Sequence, residues 1–107
     1  MAEAHPIDRL FTVIESRKGA DPSVSYTAKL FSQGVLKIAK KLGEEGVETA
    51  LAAVAQDKAA LTAESADLLY HLLVLWAACG IAPSDAYAAL EARAGRSGLD
   101  EKSSRKG

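Results

Sequence analysis

Between Lys40 and Ala53 the chain reads KKLGEEGVETALAA, and its acids are spaced for chemistry. Glu45 and Glu48 stand i,i+3 and Glu44 and Glu48 stand i,i+4, so on a helix all three lie to one side. A second acidic pair, Glu64 and Asp67 in AESADLLYH, repeats the i,i+3 spacing just before the most apolar run of the chain. The intervening TALAAVAQDKAALTA is long enough to finish one helix, turn near Gln56 to Lys58, and start an antiparallel partner. In such a hairpin Glu48 lies about as far from the turn as Glu64 and Asp67 do, and the four carboxylates meet across the helix pair. Like charges at these spacings weaken a helix, so the convergence asks for a cation. Hard divalent ions take oxygen ligands of this kind, and Mg²⁺ keeps several waters while also binding substrate phosphates. The plainer alternative is that each acid pair is a solvated helix face.

Lysines stand beside the acids. Lys37, Lys40 and Lys41 in LKIAKKLGEE share a helix face at i, i+3 and i+4. They suit the phosphates of a metal-bound polyanion, acting as point charges, or they answer the partial negative charge at a helix C-terminus. Arg96, Lys102, Arg105 and Lys106 of the polar tail either close over the same ligand or only solvate that end. A di-iron centre needs Glu-x-x-His on two helices. Here Asp67 and His71 are i,i+4 and no second such pair occurs, and His5 lies outside the apolar pattern. His71 reads as a packed core histidine satisfied by Asp67 one turn back. There is no Gly-x-x-x-x-Gly-Lys loop, no Gly-x-Ser-x-Gly elbow and no Cys/His metal spacing.

The elements that must hold these residues all read as helix. In PIDRLFTVIESRK, Pro6 takes a first helical position and Ile7, Leu10, Phe11 and Ile14 recur at helical spacing. GADPSVS is a loop, and Ser25 at its end is an N-cap for the next helix. That helix carries Leu30, Phe31, Val35, Ile38 and Leu42. Gly34 marks either a kink or a break in it, and Gly43 ends or bends it. A third stretch follows, with Val47, Ala50, Leu51 and Val54 as its apolar stripe. The longest helix, of about 20 residues, has Leu61, Leu68, Leu72 and Leu75 as its core stripe and stops at Gly80. Ser84 caps a last helix that stops at Gly95.

Helices joined by short loops predict an all-α bundle of four to five helices, with residues 1–95 as a single domain and 96–107 as a polar basic tail. The 107 residues carry a net charge of −1, so no global basic field argues for nucleic acid. The single cysteine, Cys79, sits in LLVLWAACGIA, a buried-thiol setting, and a chain without a disulfide framework fits a reducing compartment. The apolar stretch from Leu68 to Ala82 is shorter than the roughly 18 residues of a membrane span. The N-terminus carries acids and no long apolar run, so no signal peptide is expected. These features predict a cytoplasmic protein with no membrane partner.

GEEGVETALAA followed by ESADLLYHLLVL resembles the Glu-x-x-Glu…Glu-x-x-Asp signature of the all-α nucleotide pyrophosphatases. Within that superfamily SYTAKLFSQGVLKIAKKLGEEGVE, ESADLLYHLLVLW and GRSGLDEK resemble the phosphoribosyl-ATP pyrophosphatase family, over roughly Ile7 to Lys102. The resemblance implies hydrolysis of phosphoribosyl-ATP to phosphoribosyl-AMP and pyrophosphate, the second step of histidine biosynthesis. It implies Mg²⁺ held by Glu45, Glu48, Glu64 and Asp67, with Glu44 a further ligand or the base that activates water. It also implies assembly into dimers or larger homo-oligomers. Lys37, Lys40, Lys41 and Arg96 are the candidate phosphate contacts, and a chain this short is expected to be a stand-alone form not fused to the enzyme of the next step. Two other functions compete: a house-cleaning pyrophosphatase for noncanonical nucleoside triphosphates, and a non-catalytic helical dimerisation module whose acids are only solvated.

Overall fold

The computed structural model describes residues 5–94, and within them every regular element is a helix. The tail, with Arg96, Lys102, Arg105, Lys106 and the expected stop at Gly95, lies outside the described residues. Helix α1 (Pro6–Ser16) begins with Pro6, as its fixed φ favours. His5 caps it, with Nδ1 accepting the Ile7 N–H at 3.1 Å. Helix α2 (Tyr26–Gln33) is capped by Ser25, whose hydroxyl oxygen accepts the Ala28 N–H at 3.1 Å. Gly34 then proves to be a break rather than a kink: at φ 88° and ψ 167° it ends α2 and admits α3 (Val35–Val54).

Helix α3 corrects one expectation, because it runs unbroken through Gly43 and Gly46. A glycine inside a helix costs only about 1 kcal/mol against alanine, and packing against a long partner offsets that. The partner is α4 (Lys58–Cys79), 22 residues long. The turn between them falls where the spacing puts it. Gln56 takes a left-handed conformation at φ 59°, and the Asp57 carboxylate caps α4 by accepting the Ala60 N–H at 2.9 Å. At the other end Gly80 adopts φ 77° and ψ 24°, and the Ile81 N–H reaches back to the Trp76 carbonyl at 2.9 Å. Helix α5 (Pro83–Arg93) is not capped by Ser84. Pro83 opens the helix one residue earlier, Ala82 occupies the cap position, and the Asp85 carboxylate accepts the Ala82 N–H at 2.9 Å.

The core lies at one end of the α3–α4 hairpin. Ile14, Leu30, Ile38, Leu73, Val74 and Ala77 are buried together there, with Phe11, Phe31, Tyr70 and Trp76 packed around them. Lys18 closes this end. It donates to the Ala77 carbonyl at 2.7 Å, pairs with Glu15 at 2.9 Å and stands over the Phe31 ring. Three expectations about burial fail. Leu61, Leu68 and Leu72 are only half-buried and stand away from the core, and of that stripe Leu75 alone packs against it, while Leu73, Val74 and Ala77 take the centre. Helix α4 is apolar on most of its circumference, so its sequence alone does not say which face the other helices cover. Val47, Leu51 and Val54 are 60, 61 and 80 % exposed, because α1 and α2 wrap the other end of the hairpin. Cys79 is exposed, two residues past buried Ala77 and on a different side of α4. No single helix among the described residues is long and apolar enough to cross a membrane.

Candidate metal and pyrophosphatase site

The hairpin does to the acids what its register requires. Glu45 and Glu48 leave α3 toward α4, and Glu64 leaves α4 toward α3. One carboxylate oxygen from each of the three lies within 4.8 Å of the others. The backbones are tied at this level by Thr49, whose hydroxyl lies 2.7 Å from the Glu45 carbonyl and 3.2 Å from the Glu64 carbonyl. Gly46 sits one residue from Glu45 and leaves the space that Leu68 approaches: a Cβ there would stand 3.9 Å from Leu68 Cδ1.

Asp67 is not in this triad, although its charge reaches it. Burial raises the Glu45 carboxyl above its ordinary range, repulsion from Glu48 adds to that, and Asp67 adds further. His71 acts in the opposite sense on Glu45. Glu64 is raised in the same way, first by burial and then by Glu48 and Asp67. Among the described residues, Glu45 Oε2 and Glu64 Oε2 are buried and have no hydrogen-bond partner. Ionised oxygens that are buried, crowded and unpaired are costly. A hard divalent cation is the group that this donor set fits, since carboxylate oxygens are what it binds.

Glu44 is exposed and stands outside the triad, but it lines the open cleft of about 660 Å³ in front of it. That cleft is walled by Lys41, Glu44, Glu45, Val47 and Glu48. Lys41 is therefore placed beside the acids. Lys37 and Lys40 are exposed on the same helix, one turn and less from Lys41, and do not line the cleft. Arg96 lies outside the described residues.

His71 is 5 % exposed and is a packed histidine. Its partner is the Asp67 backbone, with Nδ1 2.8 Å from the carbonyl oxygen. A carbonyl can only accept, so Nδ1 carries a proton. Nε2 on the other side of the ring faces the Tyr26 hydroxyl at 3.4 Å. The Tyr70 hydroxyl meets Thr27 in turn, and the Tyr70 ring stands edge-on to His71 at 5.0 Å. The link from α2 to the acidic turn of α4 escaped the sequence reading. Tyr26 directly after a helix cap looks like any surface aromatic, and only the packing of α2 shows what it meets.

The family model for phosphoribosyl-ATP pyrophosphohydrolase matches residues 7–94. The chain belongs to this family. It is 60 % identical over 99 residues to a phosphoribosyl-ATP pyrophosphatase of Paramagnetospirillum magneticum, covering 92 % of this chain and 91 % of the relative. It is 57 % identical over 100 residues to one of Azospirillum brasilense, covering 94 and 90 %. It is also 61 % identical over 99 residues to one of Caulobacter vibrioides, covering 92 % of each. The phosphoribosyl-ATP pyrophosphohydrolase match spans all five described helices apart from Pro6, and so includes every acid of the triad, Asp67 and the three lysines.

Proposed function

We propose that the Glu45, Glu48 and Glu64 triad, with Asp67 beside it, holds Mg²⁺ and hydrolyses phosphoribosyl-ATP to phosphoribosyl-AMP and pyrophosphate, the second step of histidine biosynthesis. Family membership supports the reaction. The observation that supports the site is the meeting of three carboxylates across two helices with two buried oxygens left unpaired. Bound there, Mg²⁺ would neutralise charge on the leaving pyrophosphate and make a nearby water more acidic.

The residues around it have separable tasks. Glu45 and Glu64, whose carboxyls are raised when the metal is absent, bind as ionised ligands, so protons compete with the cation. Glu44 faces the cleft without joining the triad and is placed to accept a proton from the attacking water. Lys41 is the lysine beside the acids; Lys37 and Lys40 extend the cationic strip along which the polyphosphate lies. Thr49 fixes the two helices at the level of the acids, and His71 holds the Asp67 turn.

The exposed stripe of Val47, Leu51 and Val54 supports self-association as a dimer or larger homo-oligomer. A single cysteine without a disulfide framework supports a cytoplasmic location. The test is a pyrophosphate-release assay. Phosphoribosyl-ATP with Mg²⁺ gives pyrophosphate, and a chelator or the substrates dUTP and dCTP give none. Release that survives the chelator overturns the metal site, and equal release from dUTP overturns the substrate.

A further inference from the structure

The cleft at the acids accounts for the triphosphate, but the substrate extends beyond it. On the far side of the scissile bond it carries a ribose, a purine and a second ribose that ends in its own phosphate. Among the described residues, none lining the acidic cleft is left to receive that remote phosphate. A second, larger groove of about 700 Å³ lies along α2, lined by Ser23, Tyr26, Lys29, Ser32 and Gln33 among others.

Tyr26 joins the two places. It is 51 % exposed and lines the groove, and its hydroxyl is tied through a single imidazole ring to the backbone of Asp67. Its ring is stacked on Tyr70 at 6.3 Å with 22° between the planes, so the wall it forms is braced from behind. One turn along α2, Lys29 is exposed and lines the same groove. Among the described residues no carboxylate pairs with Lys29. The acid closest in sequence, Asp21, is already engaged by the Ser23 N–H at 2.9 Å and the Ser23 hydroxyl at 2.8 Å.

We propose that this groove receives the phosphoribosyl arm of the substrate, with Lys29 pairing with its terminal phosphate and Tyr26 as the wall against which the sugar and purine lie. The inference rests on the phosphoribosyl-ATP reading and adds to it a reason for discrimination: ATP has no phosphate to offer Lys29.

Two experiments on the full chain decide it. In the first, ribose 5-phosphate is titrated in the presence of chelator while backbone amides are followed by NMR. Saturable shifts at Ser23, Tyr26 and Lys29, lost in Lys29→Ala, are expected. Shifts confined to Lys37, Lys40 and Lys41 overturn the assignment. In the second, Lys29→Ala raises KM for phosphoribosyl-ATP about tenfold, as loss of a charge-assisted phosphate contact does. It leaves kcat within about twofold, and Lys29→Arg restores most of KM. An unchanged KM, or a fall in kcat alone, overturns it. Wild-type protein that releases no pyrophosphate would sink the catalytic reading instead, and the chelator titration still judges the groove because it needs neither metal nor turnover.

Discussion

The two ends of the α3–α4 hairpin differ in what surrounds them. At the open end Ile38 meets Leu73, Val74 and Ala77, and α1 and α2 close over them until Ile38 and Val74 are fully buried. At the turn end Leu51 and Val54 face outward, and among the described residues the two helices pack chiefly on each other. The acids sit between: Glu45 and Glu48 are about two and three turns past Ile38, and Glu64 and Asp67 are about two and a half and one and a half to two turns before Leu73. One end is a finished core that fixes the register of the hairpin. The other is an exposed apolar surface. The site takes its geometry from the first, and its proposed assembly from the second.

Substitutions at the two ends test the contrast. Leu73→Ala removes a buried side chain and should cost about 2–5 kcal/mol in urea unfolding. Loss of less than about 1 kcal/mol would mean that the open end is not the folding core. Leu51→Glu should leave the fold intact by circular dichroism. It should raise the dissociation constant of the assembly about 30-fold or more, as placing a charge in an apolar interface does. A variant that sediments like wild type would remove the turn-end stripe from the interface.

The acids lying between give a pH signature. Glu45 and Glu64 are raised by folding, so each contributes stability that is fully present below its unfolded pKa and is lost as pH rises through the folded value. Metal-free protein should therefore lose thermal stability as pH rises from the ordinary glutamate range toward neutrality, and Mg²⁺ should restore it. The same curve for Glu48→Gln should be flatter, since one of the repelling charges is gone. Identical pH profiles with and without Mg²⁺ would contradict the assignment. The smallest expected effect is that of Gly46→Ala. The new methyl meets Leu68 at ordinary contact distance, and the variant should gain about 0.5–1 kcal/mol from helix propensity. A loss would show that α3 and α4 need a closer approach than the described structure has.

Much of this was legible in residue order. Pro6, Ser25 and Gly80 stand where helix ends demand them, and the turn at Gln56 to Asp57 follows from its chemistry. Once the turn is placed, matched i,i+3 acids on two helices have little choice but to meet, which is why three of the four proposed ligands converge. The rest depends on what lies opposite. Gly43 looked like a stop, but its cost is small beside the packing of a 20-residue helix. Ser84 was outranked by a proline one residue earlier. Val47, Leu51 and Val54 have the spacing of a core face, and spacing does not say whether the neighbour belongs to the same chain. Asp67 holds its place in the pattern, yet the triad forms without it. The Tyr26–His71 contact joins residues 45 positions apart, and no local signal announces it.

The most direct test is a calorimetric titration of Mg²⁺ into wild-type and Glu48→Gln protein, with pyrophosphate release from phosphoribosyl-ATP measured on the same samples. Wild type should bind the ion and turn over. Glu48→Gln should lose both by about 100-fold or more, since even an indirect metal partner costs up to that much. Equal Mg²⁺ binding and full turnover in Glu48→Gln would contradict the account, because the carboxylates would then meet for no cation.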